Sequence, residues 1–255
     1  MGTRTEYAPG VFCWVDLATP DPEAAKRFYD ALFGWEFEEA GGDDEPYSMA
    51  KSDGHVAAGI AGVPEGPPRW QSYIAVESAD DTAGKAEEAG AEVVMAPTTI
   101  GPPGRMAMLT DPAGAPFAIW EAGERAGAEI VNVPGTFCWN DLMTHDVEKA
   151  VAFYGEVFGW ELGEVEDAPN QRHGIRVGET MNGGLAAIPD AVGDAMPSHW
   201  LVCFAVDDVE ASRRAVSEHG GEAVTEILVV PSGRFAVVQD PQGAMFGIVD
   251  GDLDP

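Results

Sequence analysis

Val11–Ala18 alternates between two sets, Phe12, Trp14, Asp16 and Ala18 against Cys13, Val15 and Leu17, and predicts a strand. Asp21 then reads as a helix N-cap, with Pro22 as first helical residue, and Ala25, Phe28, Tyr29 and Leu32 fall on one helical face. Gly34 marks the helix end. Trp35–Glu39, Tyr47–Lys51 and Val56–Gly62 follow as short strands between Gly/Asp-rich turns. The order then recurs: a strand over Trp70–Val76, a helix over Asp80–Ala89 closed by Gly90, and strands over Glu92–Met95, Arg105–Thr110 and Ala115–Trp120. The turn Asp111-Pro112-Ala113-Gly114 joins the last two. Each round is a βαβββ module.

The chain then repeats itself. Pro9–Phe37 reads PGVFCWVDLATPDPEAAKRFYDALFGWEF, and Pro134–Leu162 reads PGTFCWNDLMTHDVEKAVAFYGEVFGWEL; more than half of the positions are identical. A repeat of this length is a whole domain rather than a solenoid unit. Trp200–Val206 is the matching strand, Val209–His219 the helix before Gly220, and Asp240-Pro241-Gln242-Gly243 the matching turn. The chain therefore divides into an N-terminal domain over 1–121, a linker over 122–133 and a C-terminal domain over 134–255.

With 255 residues the chain is long enough for two such domains. Its formal net charge of −30 sets it against nucleic-acid phosphates and anionic membranes, and suits solubility or a salty cytoplasm. No apolar run has the length of a signal peptide or a membrane span. Cys13, Cys138 and Cys203 make no disulfide framework; Cys13 and Cys138 occupy one slot in the two copies, as buried thiols of a reducing cytoplasm would.

Three motifs carry a resemblance: F-C-W-x-D-L-x-T-x-D, F-Y-x-x-x-F-G-W, and the D-P-x-G turn before each final strand. Together they resemble the vicinal oxygen chelate superfamily, which holds glyoxalase I, extradiol dioxygenases and fosfomycin- and bleomycin-resistance proteins. The doubled layout is similar to a tandem two-domain subgroup common in actinobacteria. The resemblance implies an α+β fold in which the two modules of each domain form a curved, eight-stranded cup holding the site. It also implies, for the catalytic members, one divalent metal held by His or Gln on a first strand and Glu on a last strand. The matching positions here are Trp14 and Trp139, Gln71 and Leu201, Ala118 and Gly247, and the neighbourhood of Gly59 and Gly184. Trp, Ala, Gly and Leu cannot ligate a metal. No family-type metal and no cofactor is therefore expected.

By this resemblance Phe12, Trp14, Asp16 and Ala18 face the cup, while Cys13, Val15 and Leu17 pack under the helix. The second copy repeats the inward set with Phe137, Trp139, Asp141 and Met143. The cup walls then suit an apolar or aromatic small molecule, with Gln71, Arg105 and Arg234 as further polar contacts. Asp16 and Asp141 are the candidate catalytic groups. Each acid could bind a ligand amine or hydroxyl or serve as general base; alternatively it bonds strand-end backbone or pairs with Arg105 or Arg234. Tyr29 and Tyr154 are expected in a core or interface, and Trp70 and Trp200 suit either a cup rim or a domain interface. None of the five histidines is matched across the copies; His55 and His173 are the two that could border a cup. Three readings stay open: a metal-free binding protein, a metal-independent lyase, isomerase or hydroxylase-like enzyme or divergent glyoxalase, and a chain in which one domain is a scaffold for the other. The fusion would act as a covalent pseudo-dimer, alone or in a homodimer.

Overall fold

The computed structural model describes residues 2–42, 46–165, 170–189, 193–230 and 233–251. In the N-terminal half, β1 (Phe12–Thr19), α1 (Pro22–Phe33), β2 (Glu36–Glu39), β3 (Tyr47–Ser52) and β4 (His55–Gly62) form one module. The second comprises β5 (Arg69–Val76), α2 (Ala79–Glu88), β6 (Glu92–Thr99), β7 (Gly104–Thr110) and β8 (Pro116–Ala122). The C-terminal half repeats this with β9 (Phe137–Thr144), α3 (Val147–Phe158), β10 (Glu161–Glu164), β11 (His173–Val177) and β12 (Thr180–Ala187). Its last module comprises β13 (His199–Ala205), α4 (Val209–Glu218), β14 (Glu222–Ala223), β15 (Leu228–Val230), β16 (Gly233–Gln239) and β17 (Met245–Gly251). The strand that is continuous as β6 is broken here into β14 and β15.

Each half builds one sheet. The order is β2-β3-β4-β1-β5-β8-β7-β6 in the first, and β10-β11-β12-β9-β13-β17-β16-β14 in the second, with β15 added on β16. The modules meet through the antiparallel pairs β1·β5 and β9·β13. These are two tandem domains of the expected α+β class, each with a curved sheet. The helices start and stop as their sequences dictate: Asp21 accepts the Ala24 N–H at 2.9 Å, Pro22 opens α1, and Gly34 closes it at φ 71°. Asp146 and Gly159 do the same for α3. For α2 the cap is Ser78, two residues before the expected start.

The repeated motifs turn out to join the two halves. Trp35 donates its Nε1–H to the carbonyl of Gly135 (2.7 Å), and Trp160 donates to Gly10 (2.8 Å). Gly10 and Gly135 hold φ of 87° and 79°, a backbone that suits glycine. The Tyr29 hydroxyl donates to Asp240 (3.2 Å) and accepts from Trp70; the Tyr154 hydroxyl donates to Asp111 (3.0 Å) and accepts from Trp200. Asp111 and Asp240 also accept the backbone N–H groups of their own turns. Phe117 packs on Phe153, Tyr154 and Phe158, and Phe246 packs on Phe28, Tyr29 and Phe33. Each contact has its counterpart across a pseudo-two-fold axis. Trp70 and Trp200 therefore lie at the domain interface, Trp70 against Phe204 at 4.8 Å and Trp200 against Phe12 at 5.0 Å.

Register decides which sheet face remains free. Leu17 pairs with Trp70 and Val15 with Ser72, so this face carries the interface, while Trp14, Asp16, Gln71 and Tyr73 share the other. Ala107 and Leu109 are fully buried beneath α2, which leaves Met106 and Met108 on the free face with Ala118 and Trp120. Helices and partner domain pack on one face of each sheet, opposite the face that carries Asp16 and, in the second half, Asp141.

Candidate functional site

A β-bulge corrects the expected face of four residues. Register slips by one between Phe12 and Trp14, and by one at the matching place between Phe137 and Trp139. Phe12 thereby turns out of the cup and packs on Trp160 (5.5 Å) and Trp200, with its N–H on Asn182. Phe137 pairs with Phe204 on the same interface side. The bulge residues move the other way: Cys138 packs with Trp139, Leu201, Cys203 and Val249 on the inner face, and the Cys13 thiol points to the Tyr73 carbonyl. Burial pushes both thiols well above their ordinary pKa, which makes them poor nucleophiles.

Arg105 and Arg234 are likewise placed away from the cups. Arg105 pairs with Asp80 at the start of α2 (2.8 Å), and Arg234 with Asp208 and Asp250 at the start of α4 (3.3 and 2.5 Å). Their cross-strand partners, Glu121 and Asp250, accept the first N–H groups of those helices. These arginines complete helix caps, so neither pairs with Asp16 or Asp141.

The N-terminal cup centres on Asp16, which is 7 % exposed. Tyr73 donates its hydroxyl to Oδ2 at 2.8 Å and Tyr47 at 3.2 Å; Trp14 donates Nε1–H to the Tyr47 hydroxyl at 3.1 Å. Burial raises the Asp16 pKa to about 6, against the two tyrosine hydrogen bonds and the charge of Arg69, which lower it. Both tyrosines are held well above their ordinary range, first by burial and then by the Asp16 charge, so they act as neutral donors. Gln71, directly opposite Asp16, is 3 % exposed; its Nε2 reaches the Ser72 carbonyl and its Oε1 has no partner. Trp120 and Met106 pair across β8 and β7 on the same inner face.

The C-terminal cup differs at each matched place. Asp141 pairs with Arg172 (2.7 Å) and accepts the Trp139 Nε1–H (3.0 Å). Leu201 stands where Gln71 stands in the first copy, Cys203 where Tyr73 stands, and Arg172 where Tyr47 stands. Leu201, Cys203, Val249, Phe235, Val237 and Met245 give it an apolar wall, and Trp139 is only half-buried where Trp14 is buried. Two surface hollows lie elsewhere, along α4 and beside the Arg27–Gln242 region, and are bordered largely by polar and charged side chains.

Neither cup fits the metal that the fold implies. Gly59 and Gly184 occupy matched places on β4 and β12, and a Cβ at either would collide with Tyr47 or with the Asp141–Arg172 pair. The space a metal-ligating side chain would fill is thus taken by a phenol in one cup and by a cation in the other. Ala118 and Gly247 offer no donor, and among the described residues no group of three or more His, Cys, Asp or Glu side chains gathers to hold an ion. Gly59→Ala follows directly: the extended backbone accepts alanine, Tyr47 is expelled, and the Asp16 pKa is expected to climb above about 6. Carboxyl NMR titration measures this, and an unmoved value would remove Tyr47 from the site.

Tyr47, Tyr73 and Arg172, which contact Asp16 and Asp141, were not singled out by the sequence. Only an alternation count from Trp14, corrected for the bulge, would have placed the tyrosines on its face.

The comparisons agree with this architecture. Residues 14–120 match a family model described as a glyoxalase-like domain, and residues 141–248 match that of the Glyoxalase/Bleomycin resistance protein/Dioxygenase superfamily. The candidate glyoxylase CFP32 of Mycobacterium tuberculosis is 41 % identical over 98 % of both chains. The anthracycline biosynthesis protein DnrV of Streptomyces peucetius is 35 % identical over 96 % of this chain and 95 % of its own. Among solved structures, the Mn(II)-bound glyoxalase of Novosphingobium aromaticivorans superposes with a TM-score of 0.67 at 16 % identity, covering 97 % of this chain and 85 % of its own. The 2,3-dioxygenase LapB of Pseudomonas sp. KL28 gives 0.68 at 14 %, covering 98 % and 95 %. At these identities the two structures share the fold.

Proposed function

The chain belongs to the Glyoxalase/Bleomycin resistance protein/Dioxygenase superfamily, and from that premise we propose that it binds an apolar or aromatic small molecule in its N-terminal cup without a family-type metal. The carrying observation is Asp16, a buried carboxyl held by two phenols beside Trp14 and the unpartnered Gln71 oxygen. A buried acid of this kind is costly to the fold and is explained by a ligand that uses it. Trp14 and Trp120 supply flat apolar area, and Tyr47 and Tyr73 fix the carboxyl. The name of the Streptomyces relative, an anthracycline biosynthesis protein, supports a flat aromatic compound as the first kind of molecule to try.

A second reading is favoured by the same acid. With a pKa of about 6, Asp16 is mostly ionised at neutral pH and is a stronger base than an ordinary carboxylate, which suits a general base that takes a proton from a bound hydroxyl or carbon acid and returns it. This is the metal-independent lyase or isomerase reading. Turnover that survives Asp16→Asn would eliminate it.

Native mass spectrometry of protein purified without chelator tests the binding reading. We expect a metal-free mass carrying a small organic adduct, and loss of that adduct in Trp14→Ala but not in Trp139→Ala. A stoichiometric transition metal, removed by chelator together with binding, would overturn it.

A further inference from the structure

We propose that the hollow between α1 and α4 is a ligand site separate from both cups, which binds a phosphate group, free or on an organic body, through Arg27, His219 and Gln242. The hollow has a volume of about 250 Å³. It is lined by Ala24, Arg27 and Phe28 of the N-terminal half and by His219, Pro241 and Gln242 of the C-terminal half, so it straddles the domain interface. Phe28 is buried against Tyr29 and Phe246, which gives the hollow one fixed apolar wall.

The pseudo-symmetry supplies an internal control. Arg27 matches Ala152 in the repeated segment. His219 matches Ala89, each being the residue that ends its helix, and Gln242 matches Ala113, each the third residue of its D-P-x-G turn. Where α2 meets α3, three alanines thus stand in place of the three hydrogen-bonding side chains found where α1 meets α4. The fold itself needs none of the three, since the same backbone is built with alanine at each place. Three positions on three separate elements differ together and meet at one hollow, which a bound group explains.

Each side chain has donor capacity to spare. Among the described residues the Arg27 guanidinium makes no ion pair or hydrogen bond, although its neighbour Lys26 holds Glu23 and Glu39 and the chain has 44 acidic residues against 14 basic ones. The His219 ring likewise has no partner among them. Gln242 accepts the Thr19 hydroxyl (2.7 Å) and the Asp21 N–H (3.2 Å) at Oε1, and donates to the Asp21 carbonyl (3.0 Å) from Nε2. These bonds fix the amide and leave it one hydrogen over. Donors that reach a hollow from two helices and a turn suit a tetrahedral oxyanion, whose oxygens point several ways, better than a planar carboxylate. The net charge of −30 repels anions at long range, so the local cation has to supply the attraction. An anion gripped by Arg27 from one half and by His219 and Gln242 from the other also fastens the halves together, and so stabilises the folded chain by mass action.

Calorimetric titration of the full chain with inorganic phosphate and with phenyl phosphate, in about 0.15 M NaCl, tests this. A dissociation constant of about 1 mM is expected for at least one of them, together with a rise in melting temperature that NaCl of equal ionic strength does not give. Arg27→Ala should weaken binding about tenfold and His219→Ala about threefold. Both variants install the residue that the other half carries, so they should fold, and circular dichroism melting without phosphate checks it. Tighter binding of phenyl phosphate would support the site with an organic phosphate as its occupant, and equal binding would support it with free phosphate. No binding of either compound by the wild type overturns the site. Binding that is unchanged in both variants overturns it too, and if that binding is lost in Trp14→Ala the anion sits in the N-terminal cup instead.

Discussion

Trp35→Ala is expected to cost about 3–5 kcal/mol of folding free energy. Trp35 is 1 % exposed and its ring lies 5.5 Å from Tyr29, 5.1 Å from Phe33 and 5.7 Å from Phe204 of the other half. Removing it opens a cavity across the interface and strips the Gly135 carbonyl of its donor. Trp35→Phe keeps most of the ring contacts and loses the hydrogen bond, so about 1 kcal/mol plus a packing term is expected from it. The pseudo-symmetric Trp160→Ala should behave alike, because Trp160 stacks on Tyr154 at 5.0 Å and bonds to Gly10. Urea unfolding followed by far-ultraviolet circular dichroism reads these losses. A cost below about 1 kcal/mol for Trp35→Ala would mean that the two halves do not stabilise one another through this contact.

Asp16→Asn is expected to move stability in the opposite direction. The Asp16 pKa in the folded protein is about 6 against an ordinary aspartate value of 3.8, so the unfolded chain gives up this proton first. The carboxyl is therefore harmless to the fold below pH 4. As pH rises from about 4 to 6 its contribution turns unfavourable, reaching about 3 kcal/mol above pH 6. Asparagine removes that charge and leaves an oxygen for Tyr73 and Tyr47. The variant should gain up to about 3 kcal/mol over wild type at pH 8 and nothing at pH 4, while losing ligand affinity. Unfolding free energies of both proteins at pH 4, 6 and 8 measure the difference, in which the other acids cancel. A difference that stays flat with pH would show that Asp16 does not titrate in this window.

The fold was legible because the repeat marks backbone work. Gly10 and Trp160, Asp111 and Tyr154, Gly34 with its helix: each is a chemical type demanded by one geometry, and each recurs at its counterpart. Trp14 and Asp16 were legible as an alternating pair on β1. The error at Phe12 and Phe137 came from extending that alternation through a bulge, for which Cys13 and Cys138 carry no sequence mark. Arg105 and Arg234 invited a pairing with Asp16 and Asp141 because all four recur in register. Their actual partners, Asp80 and Asp208, stand at helix starts brought alongside only by the fold. Tyr47 and Arg172 share a structural place but no residue type, so comparing the two copies was blind to them.

In a dimer of identical chains, a substitution at one site is a substitution at both, and a change that improves one pocket while ruining the other cannot be tried separately. Joining the halves in one chain lifts that restriction. The partner surface stays at fixed, high local concentration however dilute the protein becomes. Asp16 with its two phenols and Asp141 with Arg172 are then two independent solutions on one inherited frame. The tandem chain is in effect a heterodimer written in a single reading frame, whose halves share an interface and are free to diverge in chemistry.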